Sequence, residues 1–416
     1  MDYKVKLTDE QRAILEGSKG ETLAKVMESL VRYGELFGAT EMVPISSKYN
    51  HLVTSFGLKA LGPVYELMDK LLEAGAPSGQ KFTVDPKPLD KNVPSNFAQD
   101  VVFKLFMYSR QKDYEKQLAD LGLLSDNAFT CTCYMDEVGN KPGFGEVLSW
   151  SESSAVVYAN SVLGARCNRN SGIIDLMGSV IGYVPKFGLL TDEGRKADWI
   201  VEIKTTKKPE AQLLGSAIGM KVMEDVPYVK GLDKWLGTEL DDEACTYLKD
   251  FGAATASNGA VGLYHIDKLT PEAAKYGESL IKEGAKVYVV DDEELERKQH
   301  EVGPRELQPL WWPQVENTHD EAKRRSDSQG EIGSTCGGLL PENTKYEDCS
   351  HWGSNESQYR LEDVKKIKSF DGVYGHCQDN SQGGTYDSDE ASDVIDMTLR
   401  CVGVETLDVD VHCEYG

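Results

Sequence analysis

Residues 149–172 read SWSESSAVVYANSVLGARCNRNSG. Hydroxyls, three asparagine amides, one carboxyl, a thiol and two guanidinium groups surround the short apolar runs AVVYA and SVLGA. SAVVYANSVLGA has the spacing of a small-residue helix or of a strand–turn–helix, and Gly164 with Ala165 permits close backbone approach. Small hydroxyls and amides at a helix terminus, followed by Arg166 and Arg169, suit a carboxylate or phosphate, because donors converge and guanidinium forks match oxygen anions. A packing face of small residues flanked by surface arginines is the plainer alternative.

Outward from this stretch the pattern is mixed. On the N-terminal side, Thr8 with Glu10 and Gln11 forms a capping signal. Ala24, Val26, Met27, Leu30 and Val31 then recur at helical spacing, which predicts a helical segment ending near Gly34. GPVYELMDKLLEAG (62–75) predicts a second helix, the Pro-rich FTVDPKPLDKNVP (82–94) an extended run, and about 95–121 a polar helix. On the C-terminal side, the runs WIVEI, AVGLYHI and KVYVV alternate with helical stretches and Gly-rich turns, the signature of α/β layering. The organisation expected is one main region over 1–300, mostly helical to 125 and α/β over 126–300. After residue 300 the composition shifts: 301–416 carries 24 acidic against 10 basic residues and five of the nine cysteines.

The totals exclude several classes. A net charge of -24 argues against nucleic acid and against an anionic membrane surface, since both need clustered Lys and Arg. No run approaches the roughly 18 apolar residues of a membrane span. MDYKVKLTDEQ is too polar for a signal peptide, so a cytoplasmic protein is expected. Nine cysteines without a CxxC pair fit thiols or metal ligands better than a disulfide framework.

GEVLSWSESSAVVYANSVLGARCNRNSG resembles the central motif of the aconitase X family. Four further blocks carry the same resemblance: CTCYMDEVGN (131–140), GLLTDEGRKADW (188–199), LLGSAIGMKVMEDVPYVKGLDKWLG (213–237) and GAATASNGAVGLYHIDKLTPEA (252–273), closed by YVVDDEELER. The resemblance implies an aconitase-like, multi-lobed α/β fold with an N-terminal helical segment. It also implies a hydro-lyase that removes water from a small hydroxy acid, either cis-3-hydroxy-L-proline or 5-phosphomevalonate. Family members hold an iron-sulfur cluster ([2Fe-2S] or [4Fe-4S]) on three cysteines and work with a small swivelling part, fused or separate, that supplies a catalytic serine. No small part is evident in this chain, so a separate small subunit is expected.

Carried onto this sequence, the first cluster ligand is Cys131 or Cys133. The family's Gly-Cys-Pro-His and Cys-Pro stretches are missing, and Cys336 and Cys401 are the candidates by position alone. Ser46, Ser47 and His51 in PISSKYNHL match a segment that borders the substrate, and Ser153, Ser154, Asn160, Ser161, Arg166 and Arg169 would line the pocket. Cys167 is expected to pack rather than ligate, His265 to be a satisfied core histidine, and Asp85 and Asp90 to shape the pocket entrance or simply a turn. The wording of SWSESSAV and LLTDEGRKADW lies closer to the hydroxyproline branch. The rival reading is a non-catalytic relative that has lost its cluster.

Overall fold

Two hydrogen bonds start the first helix. In the computed structural model of the chain, Thr8 Oγ1 accepts from Gln11 N, and Gln11 Oε1 accepts from Thr8 N, the reciprocal capping box that the sequence announces. The structure describes residues 3–302 apart from 77, 90–98, 126 and 127. The single N-terminal helical segment divides into Asp9–Leu15 and Glu21–Leu36, because the turn at 17–20 interrupts it, and the second part runs past Gly34. Gly62–Glu73 follows as expected, with Pro63 in its first turn, where a missing N–H costs nothing. The polar helix expected over 95–121 is a π-helix, Asp100–Met107, and an α-helix, Gln111–Leu121, separated at Tyr108–Arg110.

Among the described residues three sheets hold these helices. Strand β1 (Met42–Pro44) pairs antiparallel with β4 (Tyr183–Pro185), and β2 (Asn50–Leu52) pairs parallel with β3 (Phe82–Val84), placing His51 opposite Thr83. The third sheet comprises β5 (Ala197–Ile203), β6 (Pro227–Lys230), β7 (His265–Ile266) and β8 (Ile281–Val290). Its order is β7-β6-β5-β8, parallel throughout. Parallel neighbours require crossover connections, and the helices Ala211–Val222 and Asp242–Gly259 supply two of them. AVGLYHI forms strand only at its last two residues; ahead of them Tyr264 N donates to Ser161 Oγ instead of to a ladder.

The apolar residues gather into two main clusters. One joins the N-terminal helices to residues 174–181, with Met27, Leu30, Leu52, Leu67, Met68 and Phe82 fully buried. The other joins residues 133–167 to the helices and inner strands of the α/β part, around Trp150, Leu214, Leu248, Phe251 and Tyr264. The helix Gly172–Ile181 therefore packs with the N-terminal cluster although it follows the motif stretch in sequence. No helix among the described residues is long and apolar enough to cross a membrane.

Candidate functional site

The segment 149–152 runs between the two clusters, and the residues that meet there come from three parts of the chain. Trp150 forms a parallel bridge to His51. Ser151 N donates to His51 O, and Ser151 Oγ accepts from Val53 N at 2.7 Å. This fixes β2 beside the start of the helix Ser153–Ser161. Glu152 is the N-cap of that helix. Its carboxylate accepts from Ser154 N (3.0 Å), Ala155 N (2.6 Å) and Ser154 Oγ (2.7 Å), which satisfies two orphan N–H groups at the positive end of the helix dipole and one hydroxyl. The helix-start residues Ser153 and Ser154 thus serve first to hold Glu152, with Ser153 Oγ at 3.4 Å from its Oε1.

His51 is fully buried on β2. Its Nδ1 lies 2.9 Å from Thr83 Oγ1 and its Nε2 3.3 Å from Asp85 Oδ1, on the chain leaving β3. Asn140 Nδ2 donates to Thr83 Oγ1 (2.8 Å) and to Asn50 O (2.9 Å), so the hydroxyl that faces His51 is itself held in place. The Trp150 ring packs edge-on to the imidazole, with centroids 5.8 Å apart. Ligand atoms of His51, Asp85 and Glu152 all lie within 4.8 Å of one another. Burial acts to lower the His51 pKa, but the Cys133 sulfur and the Asp85 carboxylate beside it outweigh burial and hold it well above the ordinary histidine value. Burial, and then the charge of Asp85, raises the pKa of Glu152. Two carboxyls and an imidazole in one largely buried corner are chemically able to pass a proton or to hold a cation.

The remaining sequence candidates sit in other surroundings. Ser46 Oγ accepts from Val147 N, and Ser47 Oγ donates to Tyr49 O, so both hydroxyls shape the loop ahead of β2. Asn160, at the far end of the site helix, donates to Cys167 O and Gly262 O and accepts from Cys167 N. Ser161 Oγ is taken by Tyr264 N. Arg166 is ion-paired with Asp192 and donates to Leu190 O, and the Arg169 stem lies against Gly262. None of these contacts joins the corner at His51. Cys167 is a packing thiol as expected: it is fully buried, its Sγ faces Trp150 O, and burial pushes its pKa well up. His265 is the expected core histidine, bonded to Arg195 O and lowered to about 4 by burial. Asp85 belongs to the corner; Asp90 lies outside the described residues.

Sequence reasoning passes over Glu152, Thr83, Asn140 and Arg195. Of these only Glu152 carries a local signal, an acid directly ahead of a helix start in the opening stretch. Arg195 is almost wholly buried and donates to both oxygens of Glu272, to Asn160 O and Oδ1, and to Leu189 O. It ties the far end of the site helix to the α/β part.

A cluster on three cysteines needs three thiols facing one volume. Cys133 is fully buried and Cys131 half-buried, but among the described residues no third cysteine joins them: Cys167 faces Trp150 O, and Cys245 lies 3.8 Å from Leu240 O. Cys336 and Cys401 lie outside the described residues. The described residues therefore do not by themselves complete a site for an iron-sulfur cluster.

Comparison with known proteins adds a second line of evidence. The family description "Aconitase X first domain" matches residues 4–193 and "Aconitase X second domain" matches 197–300. The phosphomevalonate dehydratase large subunit of Thermococcus kodakarensis is 35% identical over 292 residues, covering 70% of this chain and 67% of that protein. The corresponding large subunit of Methanocaldococcus jannaschii is 34% identical over 273 residues, 64% of each. The cis-3-hydroxy-L-proline dehydratase of Hypocrea jecorina is 28% identical over 309 residues, 71% of this chain and 48% of that one. The crystal structure of Thermococcus kodakaraensis aconitase X in its holo-form matches with a TM-score of 0.59 at 29% identity, covering 77% of this chain and 78% of that one. This chain spans about two thirds of the length of the phosphomevalonate relatives and under half of that of the hydroxyproline one.

Proposed function

The chain belongs to the aconitase X family, with its α/β aconitase-like fold, and on that premise we propose that it is the large subunit of a hydro-lyase acting on a small hydroxy acid. The observation that carries the chemistry is the convergence of His51, Asp85 and Glu152 in one buried corner beside Cys133. Loss of water from a hydroxy acid needs a group that takes a proton from carbon and a second that eases the departure of the hydroxyl. The corner supplies the second: two acids in close contact, with Asp85 the member that reaches solvent, at 15% side-chain exposure. The proton acceptor is assigned to a separate small subunit, which the relatives' name "large subunit" supports.

Between the two substrates, 5-phosphomevalonate is proposed over cis-3-hydroxy-L-proline, to which the motif wording points. Five relatives named for phosphomevalonate are 31–35% identical, against 27–28% for those named for hydroxyproline. An iron-sulfur cluster enters this reading through the family resemblance and through Cys131 and Cys133, with its remaining ligands outside the described residues. The test is dehydration of each compound by the chain combined with its small subunit, after anaerobic iron and sulfide loading. Turnover of 5-phosphomevalonate, lost by 100-fold or more in Asp85→Asn, is the expected result. If neither compound is dehydrated, the non-catalytic relative is the correct reading.

A further inference from the structure

We propose that His51, Asp85 and Glu152 bind a single divalent cation, at a site distinct from any cluster held by thiolates. The three donors come from β2, from the chain beyond β3 and from the cap of the helix Ser153–Ser161, yet their ligand atoms fall within 4.8 Å of one another. Nitrogen and oxygen donors about 2.0–2.2 Å from a common tetrahedral ion stand about 3.3–3.6 Å apart, so the three side chains need only a small inward movement to close around one. Charge points the same way. Two carboxyls and an imidazole share a corner in which His51 and Glu152 are buried and only Asp85 is partly exposed. A cation with two positive charges balances both carboxylates and takes the place of the proton on His51, since a metal-bound imidazole is neutral.

The surroundings orient each donor. Thr83 occupies Nδ1 of His51 and leaves Nε2 turned toward the carboxylates, and Asn140 holds Thr83 from behind. A hydrogen-bonded partner on the second ring nitrogen is the usual support of a metal-bound histidine. Glu152 is held by two backbone N–H groups and the Ser154 hydroxyl, which use three of the roughly four lone-pair directions of its carboxylate; the fourth, on Oε1, faces only the long 3.4 Å contact of Ser153 Oγ, which an ion would replace. Three protein donors leave a coordination position open on the Asp85 side, the arrangement of sites that admit a substrate. One imidazole and two carboxylates suit Zn2+, Fe2+ or Mn2+ more than Ca2+, which takes six or more oxygens. The Cys133 sulfur touches His51 but stands outside this set of three. That the open position receives the oxygen of a hydroxy acid rests on the dehydratase reading; the binding of the cation does not.

The experiment uses the full chain, stripped with chelator and dialysed against Zn2+ and, separately, against Co2+ as a spectroscopic probe. The expected result is one tightly bound equivalent of each. Asp85→Asn, at the partly exposed position and of the same shape, should weaken binding by at least tenfold with unchanged circular dichroism, and Thr83→Val by about tenfold. Cys133→Ser should keep the equivalent, and the Co2+ form should lack a thiolate charge-transfer band. Absence of a stoichiometric ion, indifference to Asp85→Asn, or loss of binding in Cys133→Ser together with a thiolate band in the parent would each overturn the proposal. Dehydration by the complex with this corner empty would remove the cation site and leave the function standing. A bound cation without dehydration of either compound would do the reverse.

Discussion

Asp175 is a buried acid outside the corner at His51, and it carries a pH signature of its own. Its Oδ1 accepts from Ser149 Oγ (2.9 Å) and Asn170 Nδ2 (3.2 Å), while Oδ2 has no hydrogen-bond partner. Burial pushes the carboxyl up to about 8, against the pull of the Asn170 and Ser149 donors. The folded protein therefore keeps a proton that the unfolded chain releases near the ordinary aspartate value of 3.8. Stability from this group is fully present below about pH 4 and declines as pH rises toward about 8, by at most about 1.4 kcal/mol per unit. In Asp175→Asn, which is neutral throughout, the melting temperature should fall less steeply between pH 5 and 8; parallel curves for the two proteins would refute this origin. At this scale the sequence is a partial guide. His51 is legible through its surrounding motif, but its partners stand 32, 34 and about 100 positions away, and no local spacing links Thr83, Asp85 and Glu152 to it. Arg166 looks like an anion ligand by type, yet Asp192, which only the fold brings near, takes its charge.

Elements meet through small residues and through one buried ion pair. The helices Ala211–Val222 and Asp242–Gly259 approach so closely that a Cβ on Gly259 would lie 1.9 Å from Gly219 O. Gly259→Ala should cost roughly 1–2 kcal/mol, the overpacking penalty less the gain in helix propensity, and should lower the urea midpoint at constant slope. Arg195 and Glu272 join the site helix to the helix Pro271–Tyr276 with almost no exposure on either side chain. Removing one partner leaves the other charged and unpaired, so Arg195→Met should cost about 3–5 kcal/mol. The double variant Arg195→Met with Glu272→Leu should recover at least half of that loss, and equal losses in single and double variants would show that packing, not charge, dominates. Helices with caps and periodic apolar faces, such as Asp9–Leu15 and Gly62–Glu73, are legible from sequence because their signals are local. The three-residue strands β1 to β4 are not. Each is defined by a partner distant in the chain, and three residues hold no period.

For the molecule as a whole, the decisive feature is that the site lies where two hydrophobic clusters share one stretch of chain. Trp150 belongs to the cluster of the α/β part, while its bridge partner on β2 is followed directly by Leu52 of the N-terminal cluster. The helix Gly172–Ile181 packs with the N-terminal cluster, and its first residue is pressed onto the chain leaving β2: a Cβ on Gly172 would lie 1.8 Å from Val53 O. Separating the two clusters would break the hydrogen bonds of Ser151 to His51 and Val53, which frame the corner at His51. The two clusters should therefore behave as one cooperative unit, although family descriptions divide the chain between residues 193 and 197. Hydrogen exchange reads this directly, since buried amides that exchange only by global opening share one free energy. Peptides covering Leu67–Leu71 and Leu248–Ala256 should converge on the same opening free energy, and Trp150→Leu should lower both by the same amount. Separate values, or a loss confined to the α/β peptide, would mean that the clusters open independently and that the corner at His51 is assembled by docking rather than by a common fold.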